Sequence, residues 1–89
     1  MNAIVTVVGK DKVGIIAGVS SVMAELNINI LDISQTIMDN YFTMIMMVDF
    51  SNASNDISEI RKKLDQAGKN FSVSINLQHK DVYEAMHRI

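Results

Sequence analysis

The first third of the chain has a strand pattern followed by a helix pattern. Residues 3–8 are apolar on both alternating faces, which is typical of a strand that is buried on two sides. A glycine-containing break follows, and apolar residues then recur at helical spacing, at Ile15, Val19, Val22 and Leu26. The pattern predicts a strand inside a sheet and a first helix over about residues 13–26.

Two further strand patterns meet at a turn. Residues 28–38 are rich in isoleucine and end at Asp39-Asn40, where both residues tolerate a positive φ. The next strand, over residues 41–49, is apolar on both faces, with Phe42, Met44, Met46 and Val48 on one and Ile45 and Met47 on the other. We therefore expect a hairpin whose second strand lies inside the sheet.

The last third predicts a second helix, an edge strand and a short terminal helix. Asp56 and Glu59 have the spacing of a capping box, and an apolar stripe that ends at Gly68 predicts a helix over about residues 56–67. Strict alternation with polar residues predicts a half-exposed edge strand, carried by Phe71, Val73, Ile75 and Leu77. The final residues predict a C-terminal helix whose apolar side is formed by Val82, Tyr83, Met86 and Ile89.

The order of the main elements is strand, helix, strand, strand, helix, strand. Right-handed crossovers place both main helices on one face of the sheet. The sequence therefore predicts a single α+β domain over residues 1–89, a ferredoxin-like βαββαβ two-layer sandwich with strand order 4132 and a short C-terminal helix. Because the inner strands are apolar on both faces, we expect the helix-free face to be covered by a second copy of the chain or by the C-terminal helix.

Composition and charge narrow the function classes. An 89-residue chain with 48% hydrophobic residues has the composition of a folded domain with a thin core. Its net charge of −2 gives no basic surface for phosphates, so we expect no nucleic-acid partner. The sequence has no signal-type N-terminus and no apolar run of the roughly 18 residues that a membrane span needs, which indicates a cytoplasmic chain without a membrane partner.

The loop between the first strand and the first helix is the most informative segment for function. A glycine-containing turn that enters a helix presents unpaired N–H groups and the positive end of the helix dipole, where a carboxylate can bind. The alternative is structural: Asp11 caps the helix, and Gly14 permits close packing of the helix on the strand. Spacing alone favours the structural alternative.

Two segments, Asp11-Lys12-Val13-Gly14-Ile15-Ile16 and Leu26-Asn27-Ile28-Asn29-Ile30, resemble the signature of ACT domains, a family that senses amino acids. The resemblance covers most of the chain. Three further segments resemble, more narrowly, a family of small stand-alone ACT proteins without an assigned function. They are Gly9-Lys10-Asp11, Ile33-Ser34-Gln35-Thr36 and Tyr41-Phe42-Thr43-Met44. The chain is also similar to the ACT repeats of the glycine cleavage system repressor.

The resemblance implies that a small amino acid or a related metabolite binds between the first loop of one protomer and the second strand of its neighbour. The matching positions are Asp11, Val13, Gly14, Ile15, Asn29 and Ile30. Backbone N–H groups near Gly14 would hold an α-carboxylate, and the Asn29 amide would hydrogen-bond the ligand. Asp32 would add a charge contact to an ammonium group. Val13 stands where the family usually has proline, which leaves its N–H available as a donor.

Several of these residues also have plain structural interpretations. Asn29 is equally a polar residue that faces water at the strand start, and Asp32 is equally a charge that discourages edge pairing. His79 and His87 lack a spacing that places two imidazoles on one metal ion, and we expect a solvated tail there. The methionines of the third strand are expected in the core. We predict no metal site and no cofactor.

Two function hypotheses remain, and neither is enzymatic. The first is a regulatory module that senses an amino acid at a homodimer interface and acts through an unidentified protein partner. The second is a ligand-free dimerisation or protein-assembly scaffold. Whether the sheets pair edge to edge or face to face stays open.

Two other proteins with this topology are poor comparisons. Acylphosphatases need an arginine in the first loop and an asparagine on the third strand, and the chain has neither. RNA-recognition domains need stacking aromatics on the sheet, and the first strand has none. We therefore expect no catalytic residues.

Overall fold

The computed structural model describes residues 2–10, 13–53 and 55–79. The elements in this part of the chain are β1 (Asn2–Lys10), α1 (Ile15–Glu25), β2 (Asn29–Met38), β3 (Tyr41–Asp49), α2 (Ile57–Phe71) and β4 (Val73–His79). The predicted C-terminal helix and His87 lie outside the described residues. His79 is the half-buried last residue of β4, so the expectation of a solvated tail is wrong at that position.

The four strands form one antiparallel sheet in the order β2-β3-β1-β4, which confirms the predicted order and the ferredoxin-like fold. β1 and β3 lie inside the sheet, as their apolar faces predicted. The β2–β3 hairpin turns at Asp39-Asn40, where Asp39 has a φ of 60°. No helix in the described ranges is long and apolar enough to cross a membrane.

The core lies between the sheet and the two helices. Its fully buried side chains come from both inner strands and both helices, and the largest are Met23, Met44, Met46, Ile60, Leu64, Val5, Val7, Val19 and Val48. The strand methionines are therefore core residues, as expected. Opposite residues in antiparallel strands share a face, so the register of β1 with β3 assigns every other residue to the helix-free side.

The helix-free face is apolar in its centre and polar at its margins. Ile4 lies opposite Met47 and is only 6% exposed, whereas Val8 at the other end of β1 is 42% exposed. The edge strands add polar side chains to this face, among them Ser34, Thr36, Ser74 and Asn76. This face is thus less apolar than the inner strands alone suggested.

α2 begins as predicted but ends later. The Asp56 carboxylate accepts a hydrogen bond from the Glu59 N–H at 2.9 Å, while the Glu59 carboxylate accepts from the Asn55 side chain at 2.9 Å. The predicted end at Gly68 is wrong, because the helix continues to Phe71, which was expected in a strand. Gly68 instead allows β4 to pass close to the helix, since a Cβ there would lie 2.7 Å from the Val73 carbonyl oxygen.

Candidate functional site

β2 is an edge strand that the helices leave uncovered. It pairs with β3 alone among the described strands, and α1 makes few contacts with it. Ile33 and Ile37 lie on the helix side, opposite Met46 and Phe42 of β3, yet they are 41% and 58% exposed. The edge therefore presents apolar side chains beside backbone groups that no other described strand pairs, which is an unusual surface for an isolated domain.

The opposite edge strand, β4, has a helix packed against it. α2 packs along β4, and the Arg61 guanidinium donates a part-buried hydrogen bond to the Leu77 carbonyl oxygen at 3.4 Å. A cation held at a strand edge discourages pairing with another chain. The two edges thus differ, and β2 is the one open to a further strand.

The entrance to α1 is formed by Gly14. Its φ of 90° and ψ of −1° make it a left-handed N-cap that has no side chain to bond the helix. A Cβ at this position would meet nothing within 4 Å, so the expectation that Gly14 serves close packing is wrong, and the positive φ is what requires glycine. Gly14 also occupies the capping position that the structural alternative assigned to Asp11, which lies outside the described residues.

The first turn of α1 offers free donors. The Gly18 N–H donates to the Gly14 carbonyl at 2.8 Å and begins the helical ladder. The N–H groups of Ile15, Ile16 and Ala17 precede this bond, and the described residues supply no acceptor for them. No acidic residue lies in the first turn, so no side chain of that turn compensates the positive end of the helix dipole.

A cavity of about 420 Å³ lies between this helix end and β2. Its lining consists of Gly14, Ile15, Ile16, Ala17, Gln35, Ile37 and Phe42. Among the described residues that line it there is no charged side chain, and Gln35 is the one polar side chain. The cavity thus combines backbone donors suited to a carboxylate with walls suited to an aliphatic group. The prediction from sequence included Gly14 and Ile15 but not Gln35 and Ile37, because only the sheet register shows which β2 residues face the helix.

The other predicted site residues that the structure describes do not line this cavity within one chain. Val13 lies in the turn before α1 and is fully exposed. Asn29 and Ile30 begin β2 at the far end of the sheet, where Asn29 is opposite Asp49. Because β1 spans nine residues at about 3.3 Å each, roughly 25 to 30 Å separates that end from Gly14.

Asp32 has a local role in the structure. Its Oδ1 accepts a hydrogen bond from the Ile33 N–H at 2.9 Å. Asp32 lies opposite Met47, on the helix-free side, and the register of β2 with β3 shifts between Ile30 and Asp32. Within one chain Asp32 therefore bonds the backbone of its own strand and does not line the cavity beside Gly14.

A second cavity, of about 380 Å³, lies at the start of β2 and has a polar lining that sequence reasoning missed. Asn27, with a φ of 59°, donates from its side chain to the Asn52 carbonyl at 2.7 Å. The Asp49 carboxylate accepts from the Ser51 hydroxyl at 2.6 Å and from the Ser51 N–H at 2.9 Å, and these bonds lower the pKa of Asp49 to about 2. The cavity also includes Asn29, so within one chain Asn29 belongs to this polar cluster. No group of three metal-ligating side chains occurs in the described part of the molecule.

Comparison with known proteins shows the family. The model of the ACT domain family matches residues 2–78. The chain belongs to the ACT domain family. A UPF0237 protein of Clostridium perfringens is 56% identical over 89 residues and aligns over the full length of both chains.

Solved ACT structures agree with this assignment. The ACT domain protein from Streptococcus pneumoniae has a TM-score of 0.83 and 49% identity, with 98% of each chain covered. A structure assigned as a glycine cleavage system transcriptional repressor has a TM-score of 0.72 and 23% identity, and covers 86% of this chain and 44% of that one. The second likeness shows the fold alone. ACT domains are regulatory ligand-binding modules.

Proposed function

We propose that this ACT domain is a regulatory module without enzyme activity, which binds a small aliphatic amino acid at a homodimer interface along the β2 edge. The observation that carries the proposal is the cavity between the N-terminus of α1 and strand β2, whose described lining is uncharged. Within the described part of the chain, backbone donors without an acceptor and apolar walls meet there.

The cavity suits the two ends of an amino acid differently. The N–H groups of Ile15, Ile16 and Ala17 would donate to the α-carboxylate, which the helix dipole also favours. An aliphatic side chain would pack on Ile37 and Phe42, where a charged one would lose its solvation without a partner. The Gln35 amide oxygen is the side-chain acceptor available to the ammonium group.

A second copy of the chain would bring the predicted site residues together. When two β2 strands pair antiparallel about a two-fold axis, the start of each strand lies beside the end of the other. Asn29 and Ile30 of one protomer would then lie near the partner end that carries Gly14 and its cavity. The unpaired β2 edge, without lysine or proline, supports this contact, and the Arg61-covered edge of β4 does not.

A ligand-free scaffold is the second candidate function. The apolar centre of the helix-free face, formed by Ile4, Val8, Ile45 and Met47, is the observation that favours it. A scaffold would bind a protein partner with no dependence on metabolites. A cytoplasmic sensor would bind its protein partner only with, or only without, the amino acid.

The binding test is calorimetric titration of the purified protein with a panel of amino acids, alongside thermal melting. We expect binding of at least one aliphatic amino acid and a melting temperature that rises with its concentration. Ile16→Glu places a carboxylate in the first turn of α1, where it suits the dipole but competes with the ligand carboxylate. This variant should stay folded and bind at least about tenfold more weakly, a loss of about 1.4 kcal/mol.

Ile16→Gln is the matched control, because it has the size of glutamate without the charge. It should bind more tightly than Ile16→Glu. Equal binding by the two variants would contradict the placement of the carboxylate. Silence of the wild-type protein across the whole panel would overturn the sensor and favour the scaffold.

A further inference from the structure

We propose that the two-fold axis of the dimer passes through Gln35, so that Ile33 of the partner closes each amino-acid cavity. This inference rests on the edge dimer of the proposed function and adds its register and a further binding residue.

The direction of the backbone groups limits the possible registers. The Ile33 N–H donates to the Asp32 carboxylate, which places this N–H at the outer edge of β2 instead of in the ladder with β3. Backbone groups alternate in direction along a strand, so Gln35 and Ile37 also direct their N–H and C=O groups outward. In the dimer each of these residues must therefore bond to a residue of the same set in the partner, and the Ile33 N–H then exchanges the Asp32 carboxylate for a partner carbonyl oxygen.

The regular part of β2 is bounded on both sides. A register shift between Ile30 and Asp32 interrupts the strand at its start, and the hairpin turn at Asp39 ends it. The uninterrupted run therefore extends from Asp32 to Met38, and Gln35 is its midpoint. A two-fold axis at the midpoint uses every residue of the run, whereas any other axis leaves part of it unpaired or includes the bulge.

The side chains match when the axis passes through Gln35. On the helix side, Ile33 lies opposite Ile37 of the other copy, and the two Gln35 amides meet. On the helix-free side, Ser34 lies opposite Thr36, and both carry hydroxyl groups that pair well across strands. The pattern of this edge is thus complementary to itself, as an isologous contact requires.

Neighbouring registers are less favourable. With the axis at Ser34, Ile33 lies opposite Gln35 and the irregular residue Leu31 enters the ladder opposite Ile37. With the axis at Thr36, Ile37 lies opposite Gln35 and the paired run is shorter. Both place an apolar side chain against an amide, at a cost in buried apolar contact.

This register has a consequence for the binding site. Gln35 and Ile37 line the cavity of each protomer with side chains on the helix side of the sheet. Their backbone groups point to the outer edge of β2, where the partner would pair. The partner's Ile33, opposite Ile37, then forms the outer wall, so that one protomer alone has an incomplete site. The two Gln35 side chains lie between the two cavities, which makes them the shared boundary of both sites.

Single cysteine variants test the register directly, because the chain has no cysteine of its own. The series consists of Ile33→Cys, Ser34→Cys, Gln35→Cys and Thr36→Cys, all at exposed positions, with Val8→Cys as a control on the helix-free face. Each variant is oxidised mildly without added amino acid, and the rate of disulfide-linked dimer formation is measured. We expect Gln35→Cys to cross-link at least about tenfold faster than the others, since only there do identical residues face each other at disulfide distance.

A mixture of Ile33→Cys with an affinity-tagged Ile37→Cys adds a second measurement. The mixed dimer should form faster than either self-linked dimer. Fastest self-linking at Ser34→Cys or Thr36→Cys would overturn the axis at Gln35 and leave the edge dimer in place. Fastest linking at Val8→Cys would overturn both, because the copies would then meet face to face.

Discussion

Gly14 determines the backbone conformation at the entrance to α1. Its φ of 90° is a conformation that side chains disfavour, and the space beside it is open. The glycine therefore shapes the turn that leaves the first N–H groups of α1 free. The sequence pattern located the loop, but it could not separate backbone conformation from close packing as the reason for glycine, because both require the three-dimensional surroundings.

Asp49 gives a pH-dependent prediction at the same scale. The Ser51 hydroxyl and N–H stabilise the charged carboxylate and lower its pKa from 3.8 to about 2. A lowered folded-state pKa means that this contribution to stability is fully present above pH 3.8 and is lost as the pH falls towards 2. Ser51→Ala removes the hydroxyl and should raise the pKa of Asp49 towards 3.8.

The measurement is an NMR titration of the Asp49 carboxyl in the wild type and in Ser51→Ala, together with urea unfolding at pH 7 and near pH 2.5. We expect the free energy of unfolding of the wild type to fall more between these pH values than that of the variant. Asp56, which caps α2 without Ser51, is the internal control. An unchanged Asp49 titration in Ser51→Ala would show that the hydroxyl does not stabilise the charge.

Elements that rest on periodic patterns were predicted well, and the boundary between α2 and β4 was the exception. The four strands and their order follow from alternation and from the doubly apolar inner strands. The end of α2 was misplaced because Gly68 looks like a stop signal, whereas the helix runs on to Ser72, a left-handed cap with a φ of 58°. The glycine serves the return of β4, a tertiary requirement that a local pattern does not contain.

Gly68→Ala therefore makes an informative variant. Alanine favours helix by about 1 kcal/mol over glycine, so propensity alone predicts a more stable protein. The structure predicts the opposite, because the new Cβ would lie 2.7 Å from the Val73 carbonyl oxygen, which is backbone and cannot move aside. We expect a loss of about 1 to 3 kcal/mol in the free energy of urea unfolding.

Lys69→Ala is the control for this helix end. Lys69 is exposed, so its replacement should change the free energy of unfolding by no more than about 0.5 kcal/mol. A Gly68→Ala protein more stable than the wild type would mean that β4 can move away from α2 at no cost.

At the scale of the whole molecule, only part of the candidate site could be predicted from the sequence. The loop at Gly14 has a local signature, and the resemblance to ACT domains supplied Asn29 and Ile30. The cavity wall formed by Gln35 and Ile37 had no such signal, because its place depends on which face of β2 lies towards the helices. The difference between the two sheet edges likewise depends on Arg61 reaching β4 across the fold.

A pair of lysine variants distinguishes a dimer that forms through the β2 edge from one that forms through the helix-free face. Ile37 and Val8 are exposed apolar residues, 58% and 42%, on the β2 edge and on the helix-free face respectively. A lysine at either position points to solvent in one protomer, so both variants should fold. In an edge dimer, Ile37→Lys places two charges in the apolar contact, whereas Val8→Lys leaves that contact untouched.

Sedimentation of the two variants then separates the interfaces. Ile37→Lys should sediment as a 9.9 kDa chain at concentrations where the wild type is dimeric, with a dissociation constant raised at least about 100-fold. Val8→Lys should remain a dimer and keep its affinity for amino acids. Because Ile37 also lines the cavity, Ile37→Lys should weaken amino-acid binding both through the charge in the cavity wall and through loss of the partner. The reverse result, a monomeric Val8→Lys beside a dimeric Ile37→Lys, would move the interface to the helix-free face and leave the cavity beside Gly14 open to solvent.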